Sequence, residues 1–223
     1  MRLLLAVGII ASAVVFSLAR AQVSQAEPPA EKPFSIEIIR TEVPEAGVFH
    51  RPIVSVGTNK FFFTAPRGFR IRADEEQRRV FLEDPEGKCS IMLRLRPDLA
   101  ASVKPARASS LASTNTVAPT LHDAFREPLL KQYPNARIVE EYQTTAGGVP
   151  GATFDFVWLT PTGLPLHTRI CYLPTLAGVF EFVLLVNPNQ LAEFHGAFNS
   201  VLLTFRLAPP GKELKLPVIP SKS

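Results

Sequence analysis

The chain has 223 residues, of which 46% are hydrophobic and 20% charged, with a formal net charge of +4. These values are ordinary for a soluble globular protein, and the length suits one domain with a full core better than two. If the first 21 residues are removed, Arg2 and Arg20 go with them and the net charge falls to +2, which gives no electrostatic reason to bind nucleic acid.

The first 21 residues have the form of a secretory signal peptide. Arg2 supplies a positive start, residues 3–18 are apolar, and Ala19-Arg20-Ala21 matches the small-x-small pattern that precedes cleavage. The alternative is an uncleaved N-terminal membrane anchor, because the apolar run approaches the ~18 residues that span a bilayer. The cleavage pattern favours removal after Ala21. We therefore expect an exported protein, periplasmic or secreted, with no membrane span after signal cleavage.

Proline-rich segments flank the expected folded part. Residues 22–33 are polar and lack periodicity, which is typical of a flexible linker. Residues 208–223 carry prolines at 209, 210, 217 and 220 and predict a disordered tail. A single domain is therefore expected over residues 34–207.

The first half of this domain predicts short strands separated by turns. FFFTAP, GFRIRAD and RRVFLEDP each end at Gly, Pro or acidic turn residues. In KCSIMLRLR, residues 88–96, every second residue from Cys89 to Leu95 is apolar and shares one face. Arginines and acids are interleaved over residues 67–84, a pattern typical of a solvated surface. Residues 34–52 either form an additional edge strand of the sheet or become ordered only when a partner binds, and the sequence leaves both possibilities open.

After Pro97, an Ala- and Ser-rich stretch predicts a long connection. In the segment that follows, large apolar residues recur every four positions and form one face of a helix. These residues are Leu121, Phe125, Leu129 and Tyr133. Pro128 lies inside the pattern and is expected to kink or split the helix.

Residues 136–187 predict an antiparallel meander, because apolar strands alternate there with tight turns rich in Gly and Pro. Phe154, Phe156 and Trp158 are expected on one face of the strand ATFDFVWLT. The next two strands are LHTRICYL and VFEFVLLVN.

The chain then predicts a second helix. Asn187 is expected to cap it, with Pro188 at the first helical position and Gln190 completing a capping box. Its apolar stripe comprises Leu191, Phe194, Phe198, Leu202 and Phe205. Together these elements predict an α+β fold, an antiparallel β-sheet of about six strands with helices packed on it.

Several segments occur in an order known from one superfamily: FTAPRGFRIR followed by RRVFLED, the hairpin TTAGGVPGATFDF, the strand HTRICYL, and a last helix ending in NSVLLTFRL. Over residues 61–207 this order resembles the PsbP-like and Mog-like superfamily. The resemblance implies an α/β/α sandwich with helices on both faces of the sheet. It also implies a role in protein association without known catalysis.

Cys89 and Cys171 are the two cysteines of the chain. In an exported protein they are a candidate disulfide, which would close a loop of roughly 80 residues and stabilise by ~3–5 kcal/mol. The alternative is two independent buried thiols. A disulfide requires Cα atoms within about 7 Å of each other, which the sequence leaves open.

The segment GLPLHTRICYLPT, residues 163–175, carries His167, Arg169 and Cys171 at alternate positions. On a strand they share a face, but the His and the Cys lie ~13 Å apart at ~3.3 Å per residue. That distance is too long for both to bind one metal ion or to act as base and nucleophile. His167 and Arg169 are candidate exposed contacts on a sheet face, and the sequence leaves open whether that face is open to a partner or covered by a helix.

Asp155 and Glu181 are isolated acids on two predicted strands. They would serve as general acid and base only in a strand register that the sequence does not reveal. Outward-facing positions in alternating strands explain both residues without catalysis.

The main prediction is an exported, non-enzymatic domain that binds a partner protein or a small apolar ligand through its sheet or a groove beside it. We expect no cofactor, no metal ion and no catalytic residue. Two alternatives remain open. One is a hydrolase-like or redox enzyme that uses Cys171 or the acids Asp155 and Glu181, and the other is a structural envelope component held by the Pro-rich tails.

Overall fold

The computed structural model describes residues 34–43, 47–103 and 120–208. Within these residues the chain forms two antiparallel sheets and two α-helices. The strands are β1 (Phe34–Val43), β2 (Gly47–Val56), β3 (Asn59–Phe62), β4 (Arg70–Asp74), β5 (Arg79–Glu83), β6 (Cys89–Arg96), β7 (Arg137–Ala146), β8 (Val149–Leu159), β9 (Pro165–Thr175), β10 (Gly178–Val186) and β11 (Arg206–Ala208). The helices are α1 (Leu121–Gln132) and α2 (Leu191–Thr204), and short 3-10 helices span Pro97–Val103 and Pro188–Gln190.

The larger sheet has seven strands in the order β4-β5-β6-β10-β9-β8-β7. Strands β7 to β10 follow one another as an antiparallel meander, which confirms the prediction for the second half of the chain. The β7–β8 turn needs Gly147 and Gly148, whose φ angles of 61° and 79° are those of a hairpin turn.

The smaller sheet has four strands in the order β1-β2-β3-β11. A single sheet of about six strands is therefore wrong. The smaller sheet closes through the pairing of Phe61 in β3 with Leu207 in β11, two segments far apart in the chain, and local patterns do not reveal such a contact. The segment 34–52 is ordered within this sheet as β1 and most of β2, with β1 as the edge strand.

The two faces of the seven-stranded sheet have separate cores. On one face, here the α2 face, alternate residues of β6 from Cys89 to Leu95 pack with Phe198 of α2 and Phe61 of the smaller sheet. On the other, the α1 face, Phe154 and Phe156 of β8 pack with Phe125 of α1. The expected sandwich is thus present in part, because α2 shares its face with the four-stranded sheet.

The helix boundaries depart from expectation at α2. Asn187 does not cap an α-helix; it precedes a 3-10 turn that has Pro188 at its first position, and α2 begins only at Leu191. The side-chain amide of Asn187 instead donates to Oε1 of Gln190. Pro128 lies within α1 without ending the helix.

Among the described residues, no helix is both long enough and apolar enough to cross a bilayer. The predicted signal peptide, the linker and residues 209–223 of the predicted tail lie outside the described residues, whereas Ala208 belongs to β11.

Candidate binding groove

The two cysteines do not form the candidate disulfide. Both are free and buried. Cys89 pairs with Val186 of β10, whereas Cys171 pairs with Phe182 of the same strand. The thiols are therefore two strands apart and offset by four positions, well beyond the ~7 Å that a disulfide allows between Cα atoms.

Cys171 is placed as a core residue. It is fully buried on the α2 face, and burial raises the pKa of its thiol to about 12. A nucleophilic cysteine needs the opposite shift, which an adjacent cation, a helix N-terminus or a metal would supply.

Arg169 is not the exposed contact that the sequence suggested. Its side chain is buried and donates two hydrogen bonds to Asp155, from Nε at 2.6 Å and from Nη2 at 2.5 Å. Its Nη1 contacts Nδ1 of His195 on α2. The face of β9 that carries Arg169 is thus covered by a helix at this point.

His167 is half-buried on the same face of β9, and its Nε2 has no hydrogen-bond partner among the described residues. Burial lowers the pKa of its imidazole. In the described ranges, no group of three or more His, Cys, Asp and Glu side chains is placed to hold a metal ion.

Asp155 and Glu181 lie on opposite faces of the seven-stranded sheet. Asp155 is opposite Arg169, whereas Glu181 is opposite Tyr172, which belongs to the α1 face. The interpretation of both acids as solvent-facing is wrong, since both are buried and paired with arginine. A sheet separates them, so they cannot act as general acid and base on one substrate.

A groove of about 530 Å³ opens where the two sheets meet, a volume within the usual range for ligand sites. Its lining comes from β3, the 3-10 helix after β6, the β7–β8 and β9–β10 turns with the adjacent ends of β8, β9 and β10, and the segment that follows α2. Among the residues that the structure describes, no charged side chain lines it. The lining residues are Phe61, Ala100, Gly147, Val149, Pro174, Thr175, Leu176, Gly178, Val179, Phe205 and Leu207.

Aromatic packing fixes the inner wall of the groove. Phe61 stacks on Phe205 with ring centroids 5.8 Å apart, and Phe180 lies edge-on to both rings, at 4.5 Å and 5.6 Å. Such pairs are more favourable than their buried area alone implies, so they stabilise this wall.

Glycines shape the rim of the groove. A Cβ atom on Gly147 would lie 2.9 Å from the carbonyl oxygen of Phe205, so only glycine lets the β7–β8 turn approach the start of β11 so closely. Opposite it, Leu176 in the β9–β10 turn is 88% exposed and extends the apolar surface beyond the groove.

Sequence reasoning missed this groove because its lining extends from residue 61 to residue 207 and meets only through the β3–β11 pairing. One local signal was available. Leu176 is a large aliphatic residue in a tight turn, where polar residues are usual.

No protein-family model matches the chain, and no curated protein matches it in sequence. Its structure is similar to that of a cyanobacterial PsbP from Synechocystis, with a TM-score of 0.48 and 12% identity over 77% of this chain and 92% of that one. It is also similar to a Pseudomonas aeruginosa protein of unknown function, with a TM-score of 0.41 and 15% identity over 83% and 90% of the two chains.

A third similar structure is LpqN of Mycobacterium tuberculosis, a protein involved in cell envelope biogenesis. Its TM-score is 0.36, with 11% identity over 78% of this chain and 92% of that one. All three TM-scores are below 0.5, so these similarities carry no functional conclusion. Membership of the PsbP-like and Mog-like superfamily stays a prediction.

Proposed function

We propose that this protein is an exported, non-enzymatic binding module whose groove holds an uncharged apolar group. That group belongs to a small apolar ligand or to a side chain of a partner protein. The observation that carries the proposal is the groove of about 530 Å³, whose lining has no charged side chain among the described residues. Export rests on the form of residues 1–21.

The chemistry of the groove supports an uncharged ligand. An ionised group placed against Phe61, Val149 and Phe205 would lose its hydration without gaining a charged partner. An apolar group gains roughly 25 cal/mol for each Å² that it removes from water. The groove therefore favours apolar groups over ionised ones.

The state of the reactive side chains supports a non-enzymatic function. The Cys171 thiol is buried and its pKa is raised, and the acids Asp155 and Glu181 are each neutralised by arginine on separate faces. The enzyme alternative would need one of these groups to be accessible and activated. The alternative of a structural envelope component rests on the Pro-rich tails, of which the described residues contain only Ala208.

A neutral fluorescent naphthylamine probe tests the groove. The purified protein is titrated with the probe, which brightens on transfer from water to an apolar site. Leu176→Lys replaces an apolar side chain of the rim with a charged one, and we expect it to weaken probe binding at least about tenfold, because the probe loses an apolar contact and lies beside a hydrated ion.

Leu164→Lys is the matched control, because Leu164 is also an exposed leucine, at 63%, but does not line the groove. It should leave probe binding unchanged. The proposal fails if binding is not saturable, or if both substitutions weaken it equally. Displacement of the probe by a small molecule extracted from the native compartment, or by a purified partner protein, distinguishes the two sources of the apolar group.

A further inference from the structure

A second surface lies on the α1 face, at the outer strands of the seven-stranded sheet. Phe125 and Leu129 of α1 pack over the central strands, in the cluster that contains Phe154 and Val183. Beyond them, β4, β5 and β6 present four arginines around one aromatic ring. We call this surface the arginine face; it comprises Arg70, Arg72, Arg79, Phe81, Met92 and Arg94.

Phe81 lies at the centre of the arginine face. The guanidinium carbon of Arg72 is 4.1 Å from the ring centroid, and that of Arg79 is 5.2 Å from it. Met92 is directly opposite Phe81 on β6, and both are half-buried. Arginine, aromatic residues and methionine are the types enriched in protein–protein interfaces, whereas lysine is depleted there.

The charges on this surface are only partly balanced. Arg72 is paired with Glu83 by one contact of 3.2 Å between two exposed side chains, a pair that contributes little. The side chain of Arg70, which is opposite Glu83 in the β4–β5 ladder, makes no hydrogen bond or ion pair within the part of the chain that the structure describes. These two arginines can therefore accept a new anionic partner at small cost.

Two further arginines are adjacent. Arg79 and Arg94 are directly opposite each other on β5 and β6, and like charges in that position repel. Each is paired with an acid on the strand away from the other arginine, Arg79 with Asp74 on β4 and Arg94 with the buried Glu181 on β10. Arg94 also donates to the side chain of Gln132. A carboxylate from outside the chain, placed over the space between them, would reduce the repulsion.

The pattern fits a polypeptide better than a uniformly negative surface such as an anionic membrane. Asp74 and Glu83 lie on the same side of the strands as the arginines and would repel a continuous layer of negative charge. A peptide segment with separate carboxylates can place each one over an arginine and avoid the acids. The flat strands between them suit contact with an apolar side chain over Phe81 and Met92.

We propose that the arginine face is a docking surface for an acidic polypeptide segment of a partner protein. The carboxylates of that segment pair with Arg70 and Arg72 and bridge Arg79 and Arg94, while its backbone lies over Phe81. This surface is separate from the groove and does not depend on the groove binding a ligand.

The probe is a fluorescein-labelled decaglutamate peptide, titrated by fluorescence anisotropy at about 20 mM salt, where screening is weak. Arg70→Glu with Arg72→Glu should weaken binding at least about tenfold, since two attractions become repulsions. Glu83→Gln should strengthen binding about twofold to fivefold, because it frees Arg72 from an exposed ion pair.

Arg40→Glu with Arg137→Glu is the matched control, since it changes net charge equally at exposed positions outside the arginine face. It should reduce binding by less than about threefold, the residual effect of overall charge. Circular dichroism confirms that each variant is folded, and Leu176→Lys should not change peptide binding.

The proposal would be overturned if the two double variants lost peptide affinity equally, or if Glu83→Gln did not increase that affinity. It is also overturned if the peptide does not bind whereas vesicles of anionic phospholipid do, because the surface would then recognise a membrane.

Discussion

Arg169 lies in the interior of the protein because three partners compensate for its loss of water. Asp155 accepts two of its hydrogen bonds, and the centroid of the Tyr142 ring lies 5.6 Å from the guanidinium carbon. The third partner is His195, whose Nδ1 contacts Nη1 of Arg169. The side chain thus joins β8, β9 and α2.

Removing one member of this buried pair should be costly. We expect Arg169→Met to lower the free energy of unfolding by ~3–5 kcal/mol, because Asp155 would remain buried without its cation. The double variant Asp155→Leu with Arg169→Met should lose less than the single variant. Urea denaturation measures all of these values.

The partly exposed pair of Arg126 and Glu141 provides the control for this prediction. Arg126→Met should cost less than about 1 kcal/mol, because its side chain is half-exposed. A double variant at 155 and 169 that is less stable than Arg169→Met would contradict this account of the buried pair.

Cys171 should make stability depend on alkaline pH. The pKa of its thiol is about 12 in the folded protein and roughly 8.5 in an unfolded chain, so its contribution is complete below pH ~8.5. As pH rises toward 12, the unfolded state ionises first and stability is lost, at up to ~1.4 kcal/mol per pH unit.

The measurement is the free energy of unfolding at pH 8 and at pH 10, for the wild type and for Cys171→Ala. The variant is less stable at both values because of its cavity, but it should lose ~1–2 kcal/mol less between them. Equal losses in the two proteins would contradict the assignment.

At the scale of elements, periodicity predicted where the helices lie but not how they begin. Leu121, Phe125 and Leu129 do form the buried side of α1, as their spacing indicates. The start of α1 was not recognised, although Thr120 and Asp123 form a capping box there. The sequence suggested such a box at Asn187, where the chain instead makes a 3-10 turn, because side-chain capping depends on backbone angles that residue types alone do not determine.

These two helix starts make a matched pair for mutation. Thr120→Ala should lower the free energy of unfolding by ~1 kcal/mol, because the backbone amide of Asp123 loses its hydrogen-bond acceptor. Asn187→Ala should cost less than about 0.5 kcal/mol, since the Asn187 side chain makes no capping bond and only an exposed contact with Gln190. Thermal denaturation of both variants tests this, and equal costs would refute it.

For the whole molecule, the sequence predicted the strands of the larger sheet and the meander but not the second sheet. The alternation of apolar and polar residues in segments such as Cys89–Leu95 is a local pattern, so the sequence alone indicates a strand there. The pairing of β3 with β11 is not local, and the burial of Arg169 and Glu181 depends on neighbours supplied by other strands. The groove and the arginine face were missed for the same reason, since each is assembled from residues on several elements.

Because β3 pairs with β11, the groove can form only after nearly the whole domain has been synthesised. Phe61 is made early, but its stacking partner Phe205 is among the last residues of the domain to leave the ribosome. A chain synthesised from its N-terminus therefore has no inner wall for an apolar ligand until synthesis is nearly complete. We therefore expect a chain truncated before Phe205 to lose the proposed binding of an apolar group.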